Sequence, residues 1–163
     1  TTDEFIINDG GTLKRIDADF VMNTPSFYAY KTANTSVASA TYVTLVPTSV
    51  AQNDGTCYDT SNGRFTVPSN QDGLYFFFAS FRVNGYDPDR CQCVLSLNGS
   101  DLNWTLGESV PDGSANSGSV FQTVHTTAMM ALSATDYVQA RGLQTSGSTD
   151  NIFNSVFGGF KIR

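Results

Sequence analysis

Few side chains in this sequence are placed to make or break bonds. There is one histidine, His125, between Val124 and Thr126 in a stretch that reads as a strand. Any Ser-His-Asp or His-metal scheme has to use it, and one histidine seldom builds a site alone, so it reads as a structural strand residue. No Gly-x-Ser-x-Gly elbow, His-Glu-x-x-His pair or phosphate-cradling glycine loop occurs. Asp87-Pro88-Asp89 brings two carboxylates close, as glycosidases do across a cleft, but sequence spacing does not set a separation between strands. Asp54, Asp87 and Asp89 are loop carboxylates of the kind a calcium ion takes as ligands; the competing reading is solvated turn residues. The expectation is a protein without catalytic residues or a required cofactor, calcium being the one metal candidate.

The remaining reactive groups are thiols. Cys57, Cys91 and Cys93 are odd in number, and Cys91 and Cys93 are too close along one strand to pair without distortion. Two alternatives stand: a Cys57–Cys91 or Cys57–Cys93 bridge, or three reduced thiols packed as small hydrophobes. Three cysteines and one distant histidine do not make a four-ligand zinc site. Trp104 and the loop at Tyr86 are either a platform for stacking sugars or, for Trp104, core packing. Asn34-Thr35-Ser36, Asn98-Gly99-Ser100 and Asn103-Trp104-Thr105 match the glycosylation acceptor pattern, which arises easily in a chain this rich in Ser, Thr and Asn.

The elements that must position these residues read as β structure. The chain has 163 residues, twelve Phe, seven Tyr and fourteen Gly, with many Asn-Gly and Asp-Gly pairs, the composition of short strands joined by tight turns. The net charge is −6 with nine Lys plus Arg and no basic stripe, which argues against nucleic-acid binding. No apolar run approaches the roughly 20 residues of a membrane span. The acidic start, Thr1-Thr2-Asp3-Glu4, carries no signal-peptide pattern, although a form with its leader already removed fits equally well.

Along the chain, Phe5-Ile6-Ile7 and Leu13-Lys14-Arg15-Ile16 flank the turn signal Asn8-Asp9-Gly10-Gly11. Such a hairpin is too small to be stable alone and must pack on something larger. Phe5, Ile7, Leu13 and Ile16 are its expected contact residues, and Met22-Asn23-Thr24-Pro25 reads as a connector. Residues 1–25 thus form an attachment segment and residues 26–163 the main domain. Strands are expected at Ser26–Lys31, Tyr42–Val46, Arg64–Val67, Gly73–Val83, Cys91–Leu97, Leu102–Leu106, Ser119–Leu132, Asp136–Leu143 and Ile152–Ile162, with a long polar loop from Gly107 to Gly118. No convincing 3.6-residue apolar stripe occurs, so the class is all-β. Gly73–Val83 is apolar on both faces: Tyr75, Phe77, Ala79, Phe81 and Val83 on one, Leu74, Phe76 and Phe78 on the other. One face suits a sandwich core and the other a subunit interface.

Several segments resemble one family. Asn53, four residues, Tyr58, six residues, Phe65, then Gly73-Leu74-Tyr75-Phe76-Phe77 resembles the signature of complement C1q-like domains. Leu132–Val138 resembles that family's penultimate-strand entry, and Ser155-Val156-Phe157-Gly158-Gly159-Phe160 its closing strand. The interval from Phe65 to Gly73 is two residues longer than usual, Pro47 stands where an aromatic is expected, and Ala79 replaces a Phe or Tyr. The resemblance implies a ten-stranded jelly roll of the C1q and tumour necrosis factor type that assembles as a homotrimer. It implies Tyr75, Phe77 and Phe157 at the three-fold interface. Asp3–Asp17 resembles a motif of bacteriophage structural and fibre proteins. Together the two imply a virion protein: a trimeric tail-fibre knob that recognises a host surface glycan or protein, or a capsid decoration, held to other virion proteins by the hairpin. The alternative is a secreted C1q-like pattern-recognition or signalling module.

Overall fold

The Asn-Asp-Gly-Gly signal folds as its chemistry dictates. In the computed structural model, which describes residues 4–17, 24–85, 90–110 and 120–163, strands β1 (Glu4–Asp9) and β2 (Thr12–Asp17) pair antiparallel. Gly10 and Gly11 link them at φ of 61° and 88°, the left-handed pair that a two-residue hairpin loop needs. The Gly11 N–H donates to Asn8 Oδ1 at 2.8 Å, which explains why Asn opens the turn.

Thirteen strand segments follow among the described residues: β3 (Ser26–Lys31), β4 (Thr35–Val37), β5 (Val43–Thr44), β6 (Ser49–Asp54), β7 (Tyr58–Asp59), β8 (Arg64–Thr66), β9 (Gly73–Gly85), β10 (Cys91–Leu97), β11 (Ser100–Asp101), β12 (Gly107–Ser109), β13 (Val120–Leu132), β14 (Tyr137–Gln144) and β15 (Asp150–Lys161). They form two antiparallel sheets. The first runs β13-β9-β15-β3-β6, with β4 beside β15; the second runs β11-β10-β14-β8-β7, with β12 on β10 and β5 on β14. Non-consecutive neighbours in both sheets make this a jelly-roll sandwich. Among the described residues no helix is long and apolar enough to cross a membrane.

The core lies between the sheets and is dominated by rings. Phe27 stacks on Tyr58 at 4.9 Å and meets Phe157 edge-on at 4.8 Å, while Phe65 meets Phe77 at 5.1 Å. The buried phenols of Tyr58 and Tyr75 are satisfied by backbone: Tyr58 donates to the Pro47 carbonyl at 2.9 Å and Tyr75 to that of Gln71 at 2.6 Å. Asn53 clamps the entry of β7, its amide donating to the Tyr58 carbonyl at 3.0 Å and accepting from the Tyr58 N–H at 2.9 Å.

Some elements differ from the sequence expectation. Leu102–Leu106 is not a strand: Asn103–Thr105 is a single 3-10 turn. Thr105 closes it, its hydroxyl donating to the Leu102 carbonyl at 2.8 Å and accepting from the Leu95 N–H at 2.9 Å, which folds the segment over β10. Tyr42–Val46 shrinks to the two residues of β5. Strands β4 and β6 carried no recognisable pattern because β6 is mostly exposed and polar and β4 is three residues long.

Candidate assembly surface

The six-stranded sheet turns one face to the core and the other outwards, and the outward face is aromatic. Side chains alternate along β9, so Tyr75, Phe77, Ala79 and Phe81 are buried while Phe76 and Phe78 lie half-buried on the outer side. Registration with β15 sets Phe160 beside Phe76, ring centroids 5.6 Å apart. Registration of β15 with β3 sets Gly158 opposite Tyr28, so Phe78 reaches Tyr28 across the glycine at 6.1 Å, and Tyr28 reaches Tyr30 at 6.4 Å. Met129 of β13 flanks Phe76 on the other side. Tyr28, Tyr30, Met129 and Phe160 are all exposed. Gly158 makes this carpet of rings feasible: a Cβ there would come within 2.8 Å of a Phe78 ring carbon and 3.1 Å of the Phe27 carbonyl oxygen.

A groove of about 500 Å³ opens between Tyr28, Phe78 and Phe160, with Asp54 and Gln52 on its wall. Asp54 Oδ2 accepts from Gln52 Nε2 at 2.6 Å and from the Ser26 hydroxyl at 2.9 Å, and these bonds hold the carboxyl below its ordinary pKa. The surface can therefore bury apolar area against a partner and offer an ionised acceptor at its border.

Several residues singled out from the sequence are placed elsewhere. Tyr75, Phe77 and Phe157 do not reach a contact surface: each is 0% exposed in the single chain, packed between its own sheets. Phe76 and Phe78, which alternate with them on β9, lie half-buried on the outer side, and Phe160 is exposed there. In the hairpin, registration puts Leu13 and Ile6 on one face and Phe5, Ile7 and Ile16 at positions of the other, so the four expected contact residues do not share a face. Ile6, Ile7 and Leu13 are exposed, and the side chains of Phe5 and Ile16 lie outside the described residues. Asp54 is an exposed strand end bonded to Ser26 and Gln52, and Asp87 and Asp89 lie outside the described residues. Tyr86, Met22-Asn23 and 111–119 lie outside them as well.

Trp104 is not core: it is 66% exposed on the 3-10 turn. His125 is exposed on β13 opposite Ser80. Cys57, Cys91 and Cys93 are free and buried, which decides for the reduced thiols, and burial pushes each up to about 12. The outer aromatics Tyr28 and Tyr30 are the face of Ser26–Lys31 that alternates with buried Phe27 and Ala29, and Phe160 ends the closing-strand motif on the same side of the sheet.

A family model described as the C1q domain matches residues 26–162. The globular domain of zebrafish complement 1qA aligns with a TM-score of 0.62 at 20% identity, covering 85% of this chain and 98% of that one. Eiger TNF from S. frugiperda aligns with a TM-score of 0.65 at 11% identity, covering 86% and 94%. Murine APRIL aligns with a TM-score of 0.61 at 11% identity, covering 85% and 99%. At these identities the likeness is one of fold. A search of curated protein sequences finds no match. The chain belongs to the C1q domain family.

Proposed function

We propose that this C1q-domain chain is a non-enzymatic binding and structural module that works as a homotrimer, closed through the outer aromatic face of the six-stranded sheet. The observation that carries the reading is that face: Tyr28, Tyr30, Met129 and Phe160 exposed together, with Phe76 and Phe78 half-covered between them. Contiguous apolar patches of this kind on soluble proteins mark interaction surfaces. A ring of three copies covers such a face by a heterologous contact that closes on itself. Membership in the C1q domain family supports the same stoichiometry, because the family resemblance implies trimers.

The division into an attachment segment, residues 1–25, and a jelly roll, residues 26–163, supports a second level of assembly. A two-stranded sheet with exposed Ile6 and Leu13 gains stability only when it is covered. Since Asp3–Asp17 resembles bacteriophage structural motifs, the cover is read as another virion protein, and the jelly roll as a fibre knob or capsid decoration.

Light scattering on the full chain tests the first level: a mass three times 17.6 kDa is expected, and a monomer at micromolar concentration overturns it. Electron microscopy of particles labelled with an antibody to this chain tests the second. Labelled virions are expected; antigen found only in the secreted fraction overturns that reading for a secreted recognition module.

A further inference from the structure

The aromatic carpet ends before the far end of its sheet, and there an arginine lies between two rings. Arg82 lies on β9 with its guanidinium carbon 4.4 Å from the centroid of Phe121 and 5.5 Å from that of Phe153. The two rings meet edge-on at 5.9 Å and 83°. Sheet registration builds the arrangement: Phe153 of β15 is directly cross-strand from Arg82, and Phe121 of β13 is opposite Asn84, one diagonal step away. Elsewhere Arg90 pairs with Glu108, Arg141 grips Asp101 with bonds of 2.8 and 2.9 Å, and Arg64 lies over the Tyr137 ring at 3.7 Å. Arg82 has no hydrogen-bond or ion-pair partner among the described residues, in a chain of net charge −6 where carboxylates outnumber cations.

Two rings therefore orient a planar cation whose N–H donors meet no acceptor among the described residues. Such a fork matches a carboxylate in bidentate geometry. Arg82 is the one Lys or Arg of β9, β13 holds none and Lys161 stands at the far end of β15, so a single guanidinium here suits a monoanion better than a phosphate dianion. Phe121, 50% exposed, adds a flat apolar plate next to the fork. The place also fits an outward-facing role. The chain enters the sheet at Ser26 beside Phe160, where Lys161 N–H donates to the Pro25 carbonyl at 2.9 Å. Arg82 is six residues along β9 from Phe76, roughly 20 Å towards the opposite end.

We propose that Arg82, Phe121 and Phe153 form a binding site for acidic saccharides, Arg82 holding a uronate carboxylate while a sugar C–H face lies on Phe121. The site is made of one chain's residues, on the same outer face as the aromatic carpet and two residues along β9 from the row that holds Tyr30. The test is calorimetric titration of the full-length protein with oligogalacturonate at low salt, with neutral dextran and poly-glutamate as controls. Binding of oligogalacturonate alone is expected. Arg82→Gln should weaken it by at least about tenfold, the ratio for losing roughly one charge-assisted hydrogen bond. Phe121→Ala should weaken it several-fold. If Arg82→Gln melts below the assay temperature, Arg82→Lys carries the test, because it keeps stem and charge but not the planar fork; weakened binding is again expected. Absence of binding by the wild type, or undiminished binding by the Arg82 variant, overturns the proposal. Equal binding of poly-glutamate overturns the saccharide assignment. A change of assembly mass in Arg82→Gln, with no ligand bound by the wild type, assigns the anion to a neighbouring copy's carboxylate and overturns it too.

Discussion

Phe77 and Phe78 are neighbours in sequence with opposite surroundings, and truncating each in turn separates the core from the assembly surface. Phe77 is 0% exposed and packed within ring contact of Phe65 at 5.1 Å, Tyr75 at 6.1 Å, Phe157 at 6.2 Å and Phe27 at 6.4 Å. Phe77→Ala removes that ring from a closed core, and a fully buried Phe→Ala change costs about 3–5 kcal/mol. For a domain of this size each kcal/mol moves the midpoint by about 2–4 °C, so a fall of roughly 6–20 °C is expected. Phe78 is half-buried and touches Tyr28 at 6.1 Å and Phe76 at 6.5 Å on the outer side. Phe78→Ala should cost the single chain about 1–2 kcal/mol, in proportion to the smaller area withdrawn from water. Its larger effect should fall on association. Thermal melts over a range of protein concentrations, with light scattering alongside, distinguish the two, because assembly makes the midpoint depend on concentration and a chain that no longer assembles loses that dependence. Phe77→Ala should lower the midpoint at every concentration; Phe78→Ala should shift the mass towards monomer. The reasoning is refuted if Phe77→Ala melts within about 2 °C of wild type, under the shift of roughly one kcal/mol. It is equally refuted if Phe78→Ala melts as low as Phe77→Ala with its mass unchanged.

Gly158→Ala should destabilise by about 1–3 kcal/mol and disturb the outer face, because the new Cβ meets the Phe78 ring and the Phe27 carbonyl; denaturant unfolding measures it. Asn53→Ala should cost about 1–3 kcal/mol, since the N–H and C=O of Tyr58 lose both side-chain partners; the midpoint of urea unfolding reads it. Thiol reagent at pH 8 should leave Cys57, Cys91 and Cys93 unmodified in the native protein and titrate all three in denaturant, because burial pushes each thiol up to about 12. These raised values make the folded state hold more protons than the unfolded one above pH 9. Stability is therefore undiminished below pH 9 and falls as pH rises towards 12, as melts across that window should record.

Much of the fold was legible because its signals are local. Asn8-Asp9-Gly10-Gly11 and Asn98-Gly99 dictate turns through backbone conformations that those residues tolerate, and both fold so, Asn98 at φ 51° and Gly99 at 84°. The alternation of Ser26–Lys31 and the long apolar run from Gly73 mark strands without reference to anything distant. Trp104 and the 3-10 turn beneath it were misread because Thr105 is held by Leu95, a residue ten positions earlier on another strand. A hydroxyl bond of that kind leaves no periodic trace.

The candidate surface was legible only as an ambiguity. With phenylalanine or tyrosine at 75, 76, 77 and 78, alternation says that both faces of β9 are covered and cannot say which cover is the core. That choice is made by partners far away in the chain: Phe65 and Phe157 claim Phe77, while Gly158 leaves room for Phe78 to reach Tyr28. Arg82 likewise meets Phe121 and Phe153 only because three long strands register as they do. Composition, turn chemistry and strand periodicity thus determined an all-β chain with a hairpin ahead of it, since each acts over a few residues, and the jelly roll came with the family resemblance. Which aromatics are core, which are surface, and which rings meet Arg82 were decided by strand register, a property of the sandwich and of no single segment.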